Sequence, residues 1–273
     1  ADEYVERYQN SAYETHRYLI DRFGPDDMKE QLDLIRLSLN MMDMDRLQNI
    51  YYDSKGSFDG AGSGLDRIKL EQATQRILDL VVKKATVYAD DICWDGLKLE
   101  GENLWSIQPV GMSFYDGISG IAVFLSFMHR LGYLQKTDID AILVDKVCRY
   151  VDTPAFQLET KTGLYVGIGA LIHTYLLLYD IQQDEKCLIC ARKAAKRISE
   201  IYAHDQIYDL FAGNAGVICA LVKLYEVAHD SEDLGLAVAI GDWLAKEIFD
   251  SKFGKCRIIL GGMAHGDSGF MMA

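Results

Sequence analysis

The sequence predicts an all-α protein with two layers of helices. Three observations predict it. Proline is scarce, at 3 of 273 residues, against an average usage of about 5%, and proline is what breaks helix interiors. A glycine motif recurs four times at a period near 50, by subtraction of its anchors Gly117, Gly167, Gly213 and Gly266. Between the motifs, segments apolar nearly all round alternate with amphipathic ones. A period of this size suits a solenoid of helical hairpins or one closed into an α/α toroid. The β-branched runs that a parallel α/β sheet needs between its helices are not evident.

The elements follow in order. Residues 2–50 read as two helical segments, Tyr4 to Phe23 and Met28 to Leu47, divided by Gly24-Pro25-Asp26-Asp27. That tetrapeptide is a helix stop followed by an acidic start. Residues 53–64 carry four glycines and read as a flexible linker. A third helix is predicted from about Leu65 to Asp90, and a turn-rich stretch then leads through Trp94 and Trp105 to Pro109.

The repeats begin with Tyr-Asp-Gly-Ile-Ser-Gly at 115–120. They continue with Tyr-Val-Gly-Ile-Gly-Ala at 165–170, Phe-Ala-Gly-Asn-Ala-Gly at 211–216 and Ala-His-Gly-Asp-Ser-Gly at 264–269. Gly120, Gly216 and Gly269 complete the Gly-x-x-Gly pairs. The second repeat departs, with Ala170 at that place and Gly169 before it. Two side-chain-free positions at a helix start allow a sharp turn and close backbone approach. Apolar segments follow at Ile121–Leu131, Leu171–Tyr179 and Val217–Val227, and read as inner, buried helices. The outer helices show one apolar face each: Leu143 with Val147, Ala191 with Ile198, and Ala237 with Ile240. Thr137 with Asp140 resembles a capping-box start. Inner helices entering from one end would gather their motif side chains on a single rim, where helix N-termini favour anions.

Composition excludes several classes. A net charge of -13 lacks the basic stripe of a nucleic-acid binder. No apolar run is long enough to span a membrane, and no signal peptide opens the chain. Six cysteines without a signal peptide read as free thiols in a reducing compartment, the cytoplasm. Cys187-x-x-Cys190 would share a helix face, but has no second ligand pair for zinc. Gly60–Gly64 lacks the strand and the Lys-Ser/Thr of a phosphate loop. His129 and His173 lie on apolar helices and read as core or edge histidines.

The candidate chemistry lies beside the glycines. Asp116 and His265 immediately precede Gly117 and Gly266, and Asp209 stands four residues before Gly213. An Asp and a His on one rim could form an acid/base pair. The alternative is an N-capping aspartate and a satisfied histidine. Asp116 with Asp209 could instead flank a cleft as the two carboxylates of a carbohydrate-active toroid. A helical scaffold binding peptides on a concave surface would use none of them.

The run from Trp105 to Leu125, Asp209-Leu-Phe-Ala-Gly-Asn-Ala-Gly and Met263-Ala-His-Gly-Asp-Ser-Gly resemble the cyclase domain of class II lanthipeptide (lantibiotic) synthetases. Gln31, Ile35, Arg36, Ser38 and Leu39 are similar to the segment ending that family's dehydratase region. The resemblance implies a partial α,α-toroid over 65–273, reaching the fourth inner helix. It implies that 1–64 is the helical end of the dehydratase and linker region. It implies a precursor peptide, with a leader and a Ser/Thr/Cys core, whose cysteine thiols add to dehydroalanine or dehydrobutyrine. His265 and Asp209 take the acid/base roles by the same resemblance. The family's zinc ligands, a cysteine and a Cys-His-Gly pair, would lie beyond Ala273. No cofactor is then expected in this piece, which would be inactive alone and prone to self-association through open inner-helix surface.

Overall fold

The computed structural model describes residues 67–88, 91–100, 104–134, 138–247 and 262–273, with scattered positions between 17 and 35. The chain divides into two compact units, Ala1–Gly64 and Leu65–Ala273. In the first unit Pro25, Met28, Lys29, Gln31, Leu32 and Ile35 are helical, and the Met28 amide donates to the Gly24 carbonyl at 2.9 Å. Proline suits that start, since its missing N–H would have no partner in the first turn. The predicted linker 53–64, Thr137 and Cys256 lie outside the described residues.

The second unit opens with α1 (Arg67–Lys83). It ends earlier than the sequence predicted, because Thr86-Val-Tyr88 forms strand β1, which pairs antiparallel with β2 (Asp91–Cys93). The stretch read as turns holds a second hairpin, β3 (Asp95–Glu100) with β4 (Leu104–Pro109), in register from Asp95↔Pro109 to Glu100↔Leu104. Trp94 joins the two hairpins. It is buried, its indole N–H donates to the Val81 carbonyl of α1 at 2.7 Å, and its carbonyl accepts from Val110 at 2.8 Å. Lys146 pins β2 to the next layer through the Ile92 carbonyl and Asp91, each at 2.8 Å. That contact holds the Asp91 carboxyl below the usual carboxylate range.

The rest is the expected pair of layers. The inner helices are α2 (Ile118–Arg130), α5 (Ile168–Gln182), α7 (Asn214–Ala228) and the start of α9 (Asp267–Met272). The outer helices are α3 (Asp138–Tyr150), α6 (Glu185–Ile201) and α8 (Ser231–Ala245), with the single turn α4 (Pro154–Gln157) after α3. Inner helices pack in chain order, α2 on α5 on α7 on α9, and each outer helix packs on the inner helix before it. The core between them includes Leu125, Leu143, Ile168, Tyr175, Ile198 and Leu221, all essentially free of solvent. Tyr175 satisfies its buried hydroxyl on the Val147 carbonyl at 2.9 Å, as a buried phenol requires. The layers thus form the toroid-like, mainly helical arrangement that the sequence predicts.

Two connections from inner to outer layer are built alike. Gln183 and His229 take left-handed φ values of 57° and 54° at the ends of α5 and α7. The next residue, Asp184 or Asp230, caps the following helix by accepting the Lys186 or Glu232 amide, at 2.9 and 3.0 Å.

Candidate active site

The glycine motifs position the site by replacing side-chain caps with loop carbonyls. The first amides of α2, α5 and α7 donate to carbonyls seven residues earlier: Ile118 to Gly111, Ile168 to Lys161 and Asn214 to Ile207, at 2.8, 2.9 and 3.0 Å. The loop must therefore lie directly against the helix start. A Cβ on Gly117 would overlap the Gly111 carbonyl oxygen, and one on Gly216 would overlap that of Leu210. Gly167 also has φ +114°, a conformation that side chains disfavour. In the second repeat Gly169 also lies against its loop, where a Cβ would overlap the Thr162 carbonyl oxygen. The anion preference expected of these helix starts is corrected here, because the chain's own carbonyls take those first amides.

Successive motif loops are then stitched together through the residue two places before each anchoring glycine. The Phe114 and Tyr115 amides donate to the Tyr165 carbonyl at 3.1 and 3.2 Å. The Tyr165 amide donates to Phe211 at 3.0 Å, and the Phe211 amide to Ala264 at 3.1 Å. All four motifs thereby share one rim, as the sequence predicts.

Asp209 and His265 meet on that rim. The His265 Nδ1 lies 2.7 Å from the Asp209 Oδ2. The Ala212 amide holds the other carboxylate oxygen at 2.7 Å. The Asp209 side chain is 17% exposed and that of His265 50%. With Nδ1–H donating to a carboxylate, Nε2 is the nitrogen left to accept a proton. Asp209 is no N-cap, since Gly213 occupies the cap position of α7 and carries no side-chain bond.

The other candidates stand apart from this pair. Asp116 accepts from the Ser113 hydroxyl and lines a groove of about 370 Å³ beside the β3–β4 hairpin, with Lys98, Glu159 and Lys161. His129, at the far end of α2, makes its own pair with the buried Asp140 at 2.7 Å. His173 packs edge-on to Phe114 with centroids 5.0 Å apart, and burial pushes its imidazole below the ordinary histidine range.

The sequence reading missed the aromatic character of the rim. Tyr115 meets Phe211 edge-on at 5.0 Å, and Tyr165 stacks on Phe211 at 5.7 Å with planes 18° apart. Phe211 in turn lies 5.0 Å from the His265 ring. Its signal was present: three of the four motifs carry an aromatic residue two places before the anchoring glycine.

Among the described residues a zinc ion does not fit the donors present. Among the described residues no group of three or more His, Cys, Asp or Glu could hold a metal. Cys187 and Cys190 are buried against α3, where the Cys190 thiol donates to the Cys148 carbonyl at 3.4 Å. A hydrogen bond with Cys187, aided by burial, leaves the Cys148 thiol pushed up to about 12. The same contact lowers the Cys187 thiol, and both sit in the buried core, where a free cysteine serves as a small apolar residue.

Among the described residues no helix is long and apolar enough to cross a membrane. No curated protein matches the chain. A family model for lanthionine synthetase C-like proteins matches residues 108–273, from β4 through all four glycine motifs. The match covers more than half of the sequence, and the chain belongs to the lanthionine synthetase C-like family.

Proposed function

We propose that residues 65–273 are the N-terminal half of a lanthionine cyclase, and that 1–64 are the helical end of a dehydratase and linker region in a bifunctional synthetase. Its substrate is a precursor peptide in which serine and threonine have been dehydrated. The observation that carries the reading is the Asp209–His265 pair at 2.7 Å on the rim shared by the glycine motifs.

The reaction joins a cysteine thiol to the Cβ of a dehydro residue. One C–S bond forms, the C=C π bond is lost, and the thiol's proton ends on Cα. His265 Nε2 is placed to carry that proton, and Asp209 holds the imidazole in the tautomer that can do so. The zinc that the resemblance implies would draw its ligands from outside the described residues. A bound zinc would supply a more acidic thiol.

The test uses the synthetase with His265→Ala or Asp209→Ala, given a dehydrated precursor peptide. Free thiols are counted by alkylation and mass spectrometry. Loss of a positioned acid/base group slows such steps by about 10²- to 10⁴-fold. Unchanged cyclisation in both variants would overturn the assignment.

A further inference from the structure

The aromatic residues of the rim form a continuous shelf that ends at the candidate acid/base pair. Its members come from three different repeats: Tyr115, Tyr165 and Phe211. The shelf is held from below by the backbone bonds that stitch the motif loops, since the Tyr165 and Phe211 carbonyls are the acceptors. Packing does not account for all of it. Tyr115 is 69% exposed, although a ring of its size is usually covered when its role is structural. Its edge contact with Phe211 fixes where that exposed ring sits, and Phe211 links it to His265 at 5.0 Å.

We propose that this shelf is the surface on which the planar dehydro residue of the peptide rests during thiol addition, with Tyr115 as a specificity-determining residue. The inference rests on the cyclase reading of the same rim. A dehydroalanine or dehydrobutyrine is flat at Cα, with its C=C conjugated to the peptide carbonyl. It therefore presents a π face, which a serine, threonine or alanine does not. Aromatic surfaces bind such faces by offset stacking or edge contact. A residue seated against Phe211, the shelf member whose ring lies 5.0 Å from that of His265, has its Cα on the side from which the proton is delivered. The shelf thus selects dehydrated positions over unmodified ones before any bond forms, and Asp209 and His265 need not discriminate.

The test is binding to the full 273-residue chain, read by fluorescence anisotropy. The probe is a labelled, cysteine-free peptide containing one dehydrobutyrine. Its twin carries 2-aminobutyrate at that position and is otherwise identical. The expected result is tighter binding of the unsaturated peptide by about 2- to 12-fold, the range of a single aromatic contact. Tyr115→Ala removes that preference and Tyr115→Phe keeps it. The exposure of Tyr115 makes both variants compatible with folding, which a thermal melt checks. Equal binding of the two peptides, absence of binding, or a preference that survives Tyr115→Ala would each overturn the shelf. The cyclisation assay on His265→Ala separates the two ideas. Failure of the shelf with a large His265 effect leaves the cyclase reading standing, while an unaffected His265→Ala removes the basis of both.

Discussion

Asp205 ties two rim loops together, and its removal is a measurable test of how the rim is held. The residue is 7% exposed. Its Oδ2 accepts the Thr162 amide at 2.9 Å and the Thr162 hydroxyl at 2.8 Å, and its Oδ1 accepts the Ile207 amide at 2.9 Å. Thr162 and Ile207 lead into the second and third glycine motifs. Asp205→Ala leaves the Thr162 and Ile207 amides without acceptors, and each stranded buried donor costs about 1–3 kcal/mol. The Thr162 hydroxyl can turn to another partner, so the sum is about 2–6 kcal/mol. For a folded unit of this size each kcal/mol moves Tm by about 2–4 °C, which gives a fall of about 4–24 °C. Asp205→Asn keeps one oxygen but turns an NH₂ toward a donor, so it loses about 1–3 kcal/mol. Thermal melts followed by circular dichroism read both. An alanine variant melting within 2 °C of the parent, or an asparagine variant worse than alanine, would refute the reasoning.

Two further outcomes follow from the same loops. Gly216→Ala drives a Cβ into the Leu210 carbonyl and to 2.5 Å from the Leu164 amide, and should cost at least about 1–3 kcal/mol by urea titration. Gly241→Ala in α8, where a Cβ meets nothing within 4 Å, should instead stabilise by about 0.5–1 kcal/mol, and a loss there as large as at Gly216 would contradict the packing argument. His173 is depressed by burial, so the unfolded chain takes up its proton first, near pH 6.5. Stability from neutral His173 is present above that pH and is lost as pH falls toward the folded value. His173→Gln should show a smaller fall in urea midpoint between pH 7.5 and 5.5, and an identical fall would exclude the effect.

Periodicity made the helical layers legible, because Gly117, Gly167, Gly213 and Gly266 mark helix starts, and at the first three a Cβ would overlap the preceding loop. Asp209 and His265 were legible by their places beside those glycines. Two features were not. The hairpins at 86–109 are built from runs as short as Thr86-Val-Tyr88 and from Asp95-Gly96, which carry no alternation long enough to compete with turn signals. The bonds of Asp205 span 43 residues, and nothing local in Asp-Gln-Ile marks a partner at Thr162. The rim aromatics stood in the motifs in plain view. Their meaning needed the backbone bonds that bring Tyr115, Tyr165 and Phe211 side by side.

The paired elbows at Gln183-Asp184 and His229-Asp230 give the repeat a fixed strut. From anchoring glycine to capping aspartate is 17 residues in both, 167 to 184 and 213 to 230. Each strut contains a 15-residue helix, about 22 Å long at 1.5 Å per residue. One inserted residue would turn everything after it by about 100° and misplace the elbow. Length variation is therefore channelled into the return path. From the end of the outer helix to the next anchor the chain takes 12 residues after Ile201 and 21 after Ala245. The second and third repeats can thus differ in length without tilting the rim, and the loops that lead into the glycine motifs are free to diverge on a scaffold of constant height.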